Sequence, residues 1–337
     1  MDAISLWLPV VWAAILAVAV ALYVILDGFD LGIAILFPVE PSEVRRDQMM
    51  NSVAPFWDGN ETWLILGGGG LFVAFPLAYS VIMPALYLPL IIMLLGLVFR
   101  GVAFEFRWVA KPGHELWDIA FAGGSMVAAF MQGVVLGGLL QGIKVDNNMF
   151  AGGPLDWFAP FPFVTGLSVL AGYALLGSTW LIMKTEGPLV DEARSWAKSL
   201  LLFTLVMMAI ISIWTPLIFD RIADRWFSWP NIVFLAPIPI VTAGLALLCW
   251  YGLVNGHEFT PFLSAIGLFL LGFIGLVISN VPYLVPPSIT VWDAAAIPES
   301  QIFTLIGVLI MLPLILGYTA FVYWTFRGKV REGEGYH

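Results

Sequence analysis

Nine stretches of this chain are each apolar over a length that can cross a hydrocarbon core of roughly 30 Å. They fall at about 6–37, 52–76, 80–108, 117–143, 161–184, 198–219, 230–253, 261–283 and 302–326. No other feature restricts the fold as severely. In lipid every backbone donor and acceptor must be satisfied within its own segment, which leaves helices or a closed barrel, and stretches of this length read as helices. The expected fold is therefore an all-α integral membrane protein with nine transmembrane helices. Composition agrees, at 61% hydrophobic and 11% charged. A net charge of −9 argues against nucleic acid as a partner. The opening MDAISLW lacks the basic region of a signal peptide, so the first apolar run is expected to remain as a membrane helix. Pro237 and Pro239 in the seventh stretch, and Pro282, Pro286 and Pro287 at the end of the eighth, predict bends or breaks.

Basic residues set the expected orientation. Arg45, Arg46, Arg100, Arg107, Lys111, Lys184, Arg194, Lys198, Arg327, Lys329 and Arg331 follow alternate spans, and only Lys144, Arg221 and Arg225 lie on the other side. The positive-inside rule then places the amino terminus outside and the carboxyl terminus in the cytoplasm.

That orientation gives the intramembrane charges a common location near the cytoplasmic side. The first span carries Asp27 and Asp30 in LDGFDLG; the second carries Asp58 and Glu61 in NSVAPFWDGNETWL; the third ends FRGVAFEFRW with Arg100, Glu105 and Arg107. Each acidic pair is spaced i, i+3, and Asp58 is expected about 9 Å along its helix from Ser52. Ionisable groups in a span usually face protein or a water-filled cavity and mark proton or ion paths. A structural ion-pair cluster around Arg100 accounts for the same residues, and so does exposure at headgroup level. Spacing leaves all three readings open.

The three histidines, His114, His257 and His337, fall in expected loops or at the terminus, so no transmembrane pair of histidines is offered for haem ligation. The single cysteine, Cys249, sits in an apolar run and reads as a packing residue. No metal site is expected on this chain. On the outer face, Gln132 and Gln141 in MQGVVLGGLLQGI, and Trp292 in the loop NVPYLVPPSITVWDAAAIP, are candidates for contact with a quinone or lipid headgroup. Trp292 reads equally as an interfacial anchor. The glycines Gly123–Gly124 and Gly133–Gly138 are candidate packing faces toward a partner.

DGFDLG, NSVAPFWDGNETWL, the FR…F.R ending, GLLQG, P-S…VWDA and LILGYTAFVYW, in this order and spacing, resemble subunit II of bacterial cytochrome bd quinol oxidases across essentially the whole chain. The resemblance implies two four-helix bundles, at 1–143 and 161–283, with a peripheral ninth helix at 302–326. It implies a partner, subunit I, that carries haems b558, b595 and d and oxidises quinol while reducing oxygen to water, and small single-helix accessory subunits as further partners. The setting it implies is the bacterial cytoplasmic membrane. It also assigns Asp58 to a proton route from the cytoplasm. Asp27, Asp30, Glu61 and Arg100 join that route only through their shared side and depth. A secondary transporter with broken helices, or a purely structural scaffold, are the competing readings.

Overall fold

The computed structural model describes residues 3–110 and 113–333; Lys111 and His337 lie outside the described residues. The chain is almost wholly helical. In order it forms α1 (Ala3–Leu36), a 3-10 turn (Phe37–Val39), α2 (Glu43–Asn51), α3 (Trp57–Ala74), α4 (Pro76–Val109) and α5 (His114–Gln141). A short hairpin, β1 (Val145–Asp146) with β2 (Met149–Phe150), leads to α6 (Pro160–Lys184), α7 (Pro188–Ile218), α8 (Asp220–Phe227), α9 (Asn231–Leu235), α10 (Pro237–Val254) and α11 (Thr260–Asn280). A second hairpin, β3 (Tyr283–Val285) with β4 (Ile289–Thr290), precedes α12 (Val291–Ala294) and α13 (Pro298–Thr325).

Eight helical segments among the described residues are long and apolar enough to cross a membrane, with α9 and α10 counting as one. The remaining expected span, 52–76, differs. Ser52 to Phe56 form turns, and α3 is an 18-residue helix that opens with Trp57, Asp58, Asn60 and Glu61. Its polar first turns lower its apolarity. Asp58 is thus in the first turn of α3, not 9 Å along a helix begun at Ser52. There its charge also complements the free N–H groups of a helix amino terminus. The prolines act as expected. α9 gives way to α10 at Ala236, which itself keeps helical φ/ψ, and α4 has a non-helical residue at Leu86, just before Pro89. A proline ring clashes with the carbonyl four residues back and supplies no N–H, which is enough to kink a helix.

The centre of the molecule is the crossing of α1 with α6. α1, about 51 Å long at 1.5 Å per residue, also packs on α3 and α5, while α6 is the most buried long helix and contacts α5, α7 and α11. Phe29 stacks on Trp180 with ring centroids 4.1 Å apart. The two backbones meet at Gly32 and Gly177, where a Cβ on Gly32 would fall 1.8 Å from the Tyr173 carbonyl oxygen. Gly32→Ala is therefore expected to cost at least the ~1–3 kcal/mol of an overpacked core. Gly244→Ala, at a helical glycine with no atom within 4 Å of the new Cβ, should be neutral or slightly stabilising. Thermal stability of the two variants in one detergent checks this, and equal melting would discard the crossing as the tight point.

Most glycines expected to face a partner are used inside the chain. A Cβ at Gly124 would meet the Gly96 carbonyl, at Gly133 the Thr165 carbonyl, at Gly137 the Thr165 hydroxyl and at Gly138 the Leu86 side chain. Only Gly123 of the five has open space around it. Small residues let helix backbones approach, and here they do so between α4, α5 and α6.

α13 stands at the edge, fastened at its two ends. At its start Gln301 Nε2 donates to the Ala74 carbonyl at 2.9 Å, and the Trp12 indole donates to the Gln301 carbonyl at 3.2 Å. At its end Tyr323 stacks on Phe56, centroids 4.4 Å apart, and Lys184 Nζ donates to the Phe326 carbonyl. Between these anchors most of its apolar side chains are exposed, while Leu305, Val308 and Leu312 pack against the bundle.

Candidate functional site

The charges on α1, α3 and α4 converge on Arg100. Its Nη1 lies 2.7 Å from Asp27 Oδ1 and 3.6 Å from Glu61 Oε2, and its Nη2 lies 3.8 Å from Asp30 Oδ2. Asp27, Asp30 and Arg100 are at most 1% exposed, whereas the Glu61 side chain retains 27%. Trp57 lies beneath the guanidinium, 5.8 Å from its carbon to the ring centroid. The sequence places this cluster locally. Asp27 and Asp30 share one face of α1, and the Asp58–Glu61 step corresponds to about 300° of helical rotation, so the two carboxylates point about 60° apart.

That rotation separates the expected pair. Glu61 turns toward Arg100, while Asp58 is exposed on α3. Among the described residues no ion pair or hydrogen bond holds Asp58. Glu105, also expected near the cluster, is exposed on α4.

Four uncharged polar residues around the site, Asn60, Tyr323, Tyr23 and Tyr173, are not singled out by sequence. Asn60 Nδ2 donates to Asp30 Oδ2 at 2.7 Å and to the Leu26 carbonyl at 3.3 Å. Its Oδ1 accepts from the Tyr323 hydroxyl at 2.9 Å, which ties α13 to the cluster. One turn before Asp27, the Tyr23 hydroxyl accepts from Gln132 Nε2 at 2.7 Å, and Tyr173 donates to Gln132 Oε1 at the same distance. The only sequence signal for these residues is a hydrogen-bonding group inside an apolar run, since a buried polar group without a partner is costly.

A second network lies at the end of the bundle where most basic residues gather. Arg107 bonds both Asp118 and Asp47, Arg46 pairs with Asp118 at 3.2 Å, and Phe37 lies under both guanidiniums. Arg45 bridges Glu40 at 2.8 Å and Glu192 at 3.2 Å, and the bond to Glu40 raises the pKa of Arg45 above its ordinary value. These contacts join α2, α4, α5 and α7. They account for Arg45, Arg46 and Arg107 as paired groups.

The outer-face candidates do not form one site. Gln132 lies nine residues before Gln141, about 13.5 Å along α5, and its amide is taken up between Tyr23 and Tyr173. Gln141 donates to the Asp156 carbonyl at 3.4 Å, and the Trp292 indole to the Leu6 carbonyl at 2.9 Å. Among the described residues no group of three His, Cys, Asp or Glu side chains is arranged to hold a metal ion. His114 opens α5 and His257 follows α10.

Fold and site together define a multi-pass helical membrane protein with a buried ion cluster and, on an exposed helix face, a carboxylate that has no partner among the described residues. The chain belongs to the cytochrome bd terminal oxidase subunit II family, whose sequence model matches residues 8–326. It is 28% identical over 366 residues to cytochrome bd-I ubiquinol oxidase subunit 2 of Escherichia coli (strain K12), covering 96% of this chain and 95% of that one. It is 29% identical over 339 residues to cytochrome bd ubiquinol oxidase subunit 2 of Bacillus subtilis (strain 168), covering 96% and 97%. Among solved structures it shares its fold with a chain of the bd oxidase from Geobacillus thermodenitrificans. That match has a TM-score of 0.75 at 16% identity, over 95% of this chain and 98% of the other.

Proposed function

We propose that this chain is the haem-free subunit II of a quinol:oxygen oxidoreductase in the bacterial cytoplasmic membrane, where it supports assembly of a haem-bearing subunit I and supplies a cytoplasmic proton-uptake route. Family membership and the names of the relatives support the assignment to a ubiquinol oxidase. In this reading α3 is the ninth crossing, the amino terminus lies outside and the carboxyl terminus in the cytoplasm. The segments 1–143 and 161–283 act as two four-helix bundles, with 302–326 peripheral to them.

The observation that carries the proton route is the placement of Asp58. An ionisable group on a membrane helix is costly unless it meets protein or water. Asp58 has no partner among the described residues of its own chain, so in this reading the face it occupies is covered by subunit I. Glu61, half-exposed and 3.6 Å from Arg100, stands next on the same helix as the branch toward the buried cluster. Haem, bound in subunit I, supplies electron transfer and oxygen reduction. This chain's residues position protons and exclude water around them. The ion pair of Arg100 with Asp27 favours a structural role for that pair within the same function.

Two measurements test the proposal. Purified alone, the chain should show no stoichiometric haem spectrum, and with subunit I the complex should show the full set; low-spin haem on the isolated chain would overturn the haem-free assignment. Turnover of Asp58→Asn tests the proton route.

A further inference from the structure

Arg100 is the one cation among the described residues in ion-pair contact with Asp27, Asp30 or Glu61. Glu61 reaches the surface and can be solvated. Asp27 and Asp30 cannot, being 0% and 1% exposed. If both were ionised, one guanidinium would face two buried carboxylates, leaving one negative charge uncompensated where desolvation costs several kcal/mol per ion. Buried groups in that position neutralise by taking up a proton.

The geometry distinguishes the two aspartates. Asp27 Oδ1 has the direct charge-assisted bond to Arg100 at 2.7 Å, whereas Asp30 approaches it only to 3.8 Å. Asp30 Oδ2 accepts instead from a neutral amide, Asn60 Nδ2, at 2.7 Å. The Asn60 amide is oriented by two further contacts, since its Nδ2 also meets the Leu26 carbonyl, which can only accept, and its Oδ1 accepts from Tyr323. Asp27 Oδ2 and Asp30 Oδ1 are both buried with no hydrogen-bond partner among the described residues, so it is the contact with Arg100 that separates the two aspartates. With one guanidinium between two buried carboxyls, the proton belongs on the one that meets a neutral amide and not on the one bonded directly to the cation. The charged and titratable groups that act on Asp30 are Asp27 from α1, Glu61 from α3, Arg100 from α4 and Tyr323 from α13.

We propose that Asp30 is a neutral carboxylic acid in the resting protein, holding a proton beside an ionised Asp27–Arg100 pair. Its use as a proton store during turnover rests on the uptake route proposed above; its protonated state does not. The test is the infrared difference between the wild-type and Asp30→Asn complexes at neutral pH, in ordinary and heavy water. The expected difference is the loss of one carboxylic-acid carbonyl band that shifts in heavy water. The pair of bands of an ionised carboxylate in its place would overturn the proposal. Asparagine replaces a neutral acid by a neutral amide of the same size, so assembly and melting temperature should be retained, and failure of Asp30→Asn to assemble would overturn it as well. The two readings fail separately. Wild-type turnover in Asp58→Asn with the acid band intact removes the uptake route and leaves the buried acid, whereas carboxylate bands remove the acid whatever Asp58→Asn does.

Discussion

Asp58→Asn is expected to lower quinol-oxidase turnover of the assembled complex by more than about tenfold, toward the 10²–10⁴-fold range of lost proton-transfer groups, with haem content retained. Asparagine keeps the size and most hydrogen bonds of aspartate but cannot carry the proton. Nothing in this chain depends on Asp58 for packing, because it is exposed on the first turn of α3. A structural defect is therefore not expected from the substitution. Asp58→Glu should restore part of the rate, since it returns a titratable carboxyl to the same face. Oxygen consumption measured at several pH values decides the matter. A fully haem-loaded Asp58→Asn complex running at the wild-type rate throughout would sink the proton route through this residue.

Arg100→Met should have the largest effect on stability, a loss of about 3–5 kcal/mol from leaving a buried carboxylate without its cation. Asp27 and Arg100 are both effectively inaccessible, so water cannot replace the missing charge. The effect should appear as poor assembly or a lowered melting temperature of the purified complex. The double variant Arg100→Met with Asp27→Asn removes both charges of the pair and should recover most of the loss, as charge-neutral replacements of buried pairs commonly do. Asp30, neutral beside them, adds no further charge to compensate. A single variant as stable as wild type, or a double variant no better than the single, would mean that the pair does not hold α1 to α4.

How much of this was legible before folding follows from the range of each interaction. The apolar stretches could be read directly because in a bilayer each segment must satisfy its own backbone, so length and hydropathy suffice. They locate eight crossing-length helical segments among the described residues. The 52–76 stretch was harder, because its first residues carry both the turn at Ser52–Phe56 and the polar start of α3. The junction of α9 with α10 at Pro237 was legible because proline acts on its own backbone. The grouping of Asp27 and Asp30 with Arg100 was also within reach, since orientation alone brings those helix ends to one side.

Rotation about each helix axis was not. Asp58 and Glu61 look equivalent as an i, i+3 pair, yet one is exposed and the other points at Arg100. Which of two side chains 60° apart turns inward depends on what α3 packs against, namely α1, α4 and the end of α13. Asn60 became part of the site through Asp30 on α1 and through Tyr323, 263 residues later in the chain. Gln132 and the glycines of α5 likewise acquired their neighbours from Tyr23, Tyr173 and Thr165 on other helices. By itself, then, the sequence determined a membrane protein of long helices with charges collected toward one side, because those properties are local to each segment. The tertiary structure decided which charges are paired, which are buried and which face outward, because side-chain partners are chosen by packing between segments far apart in the chain.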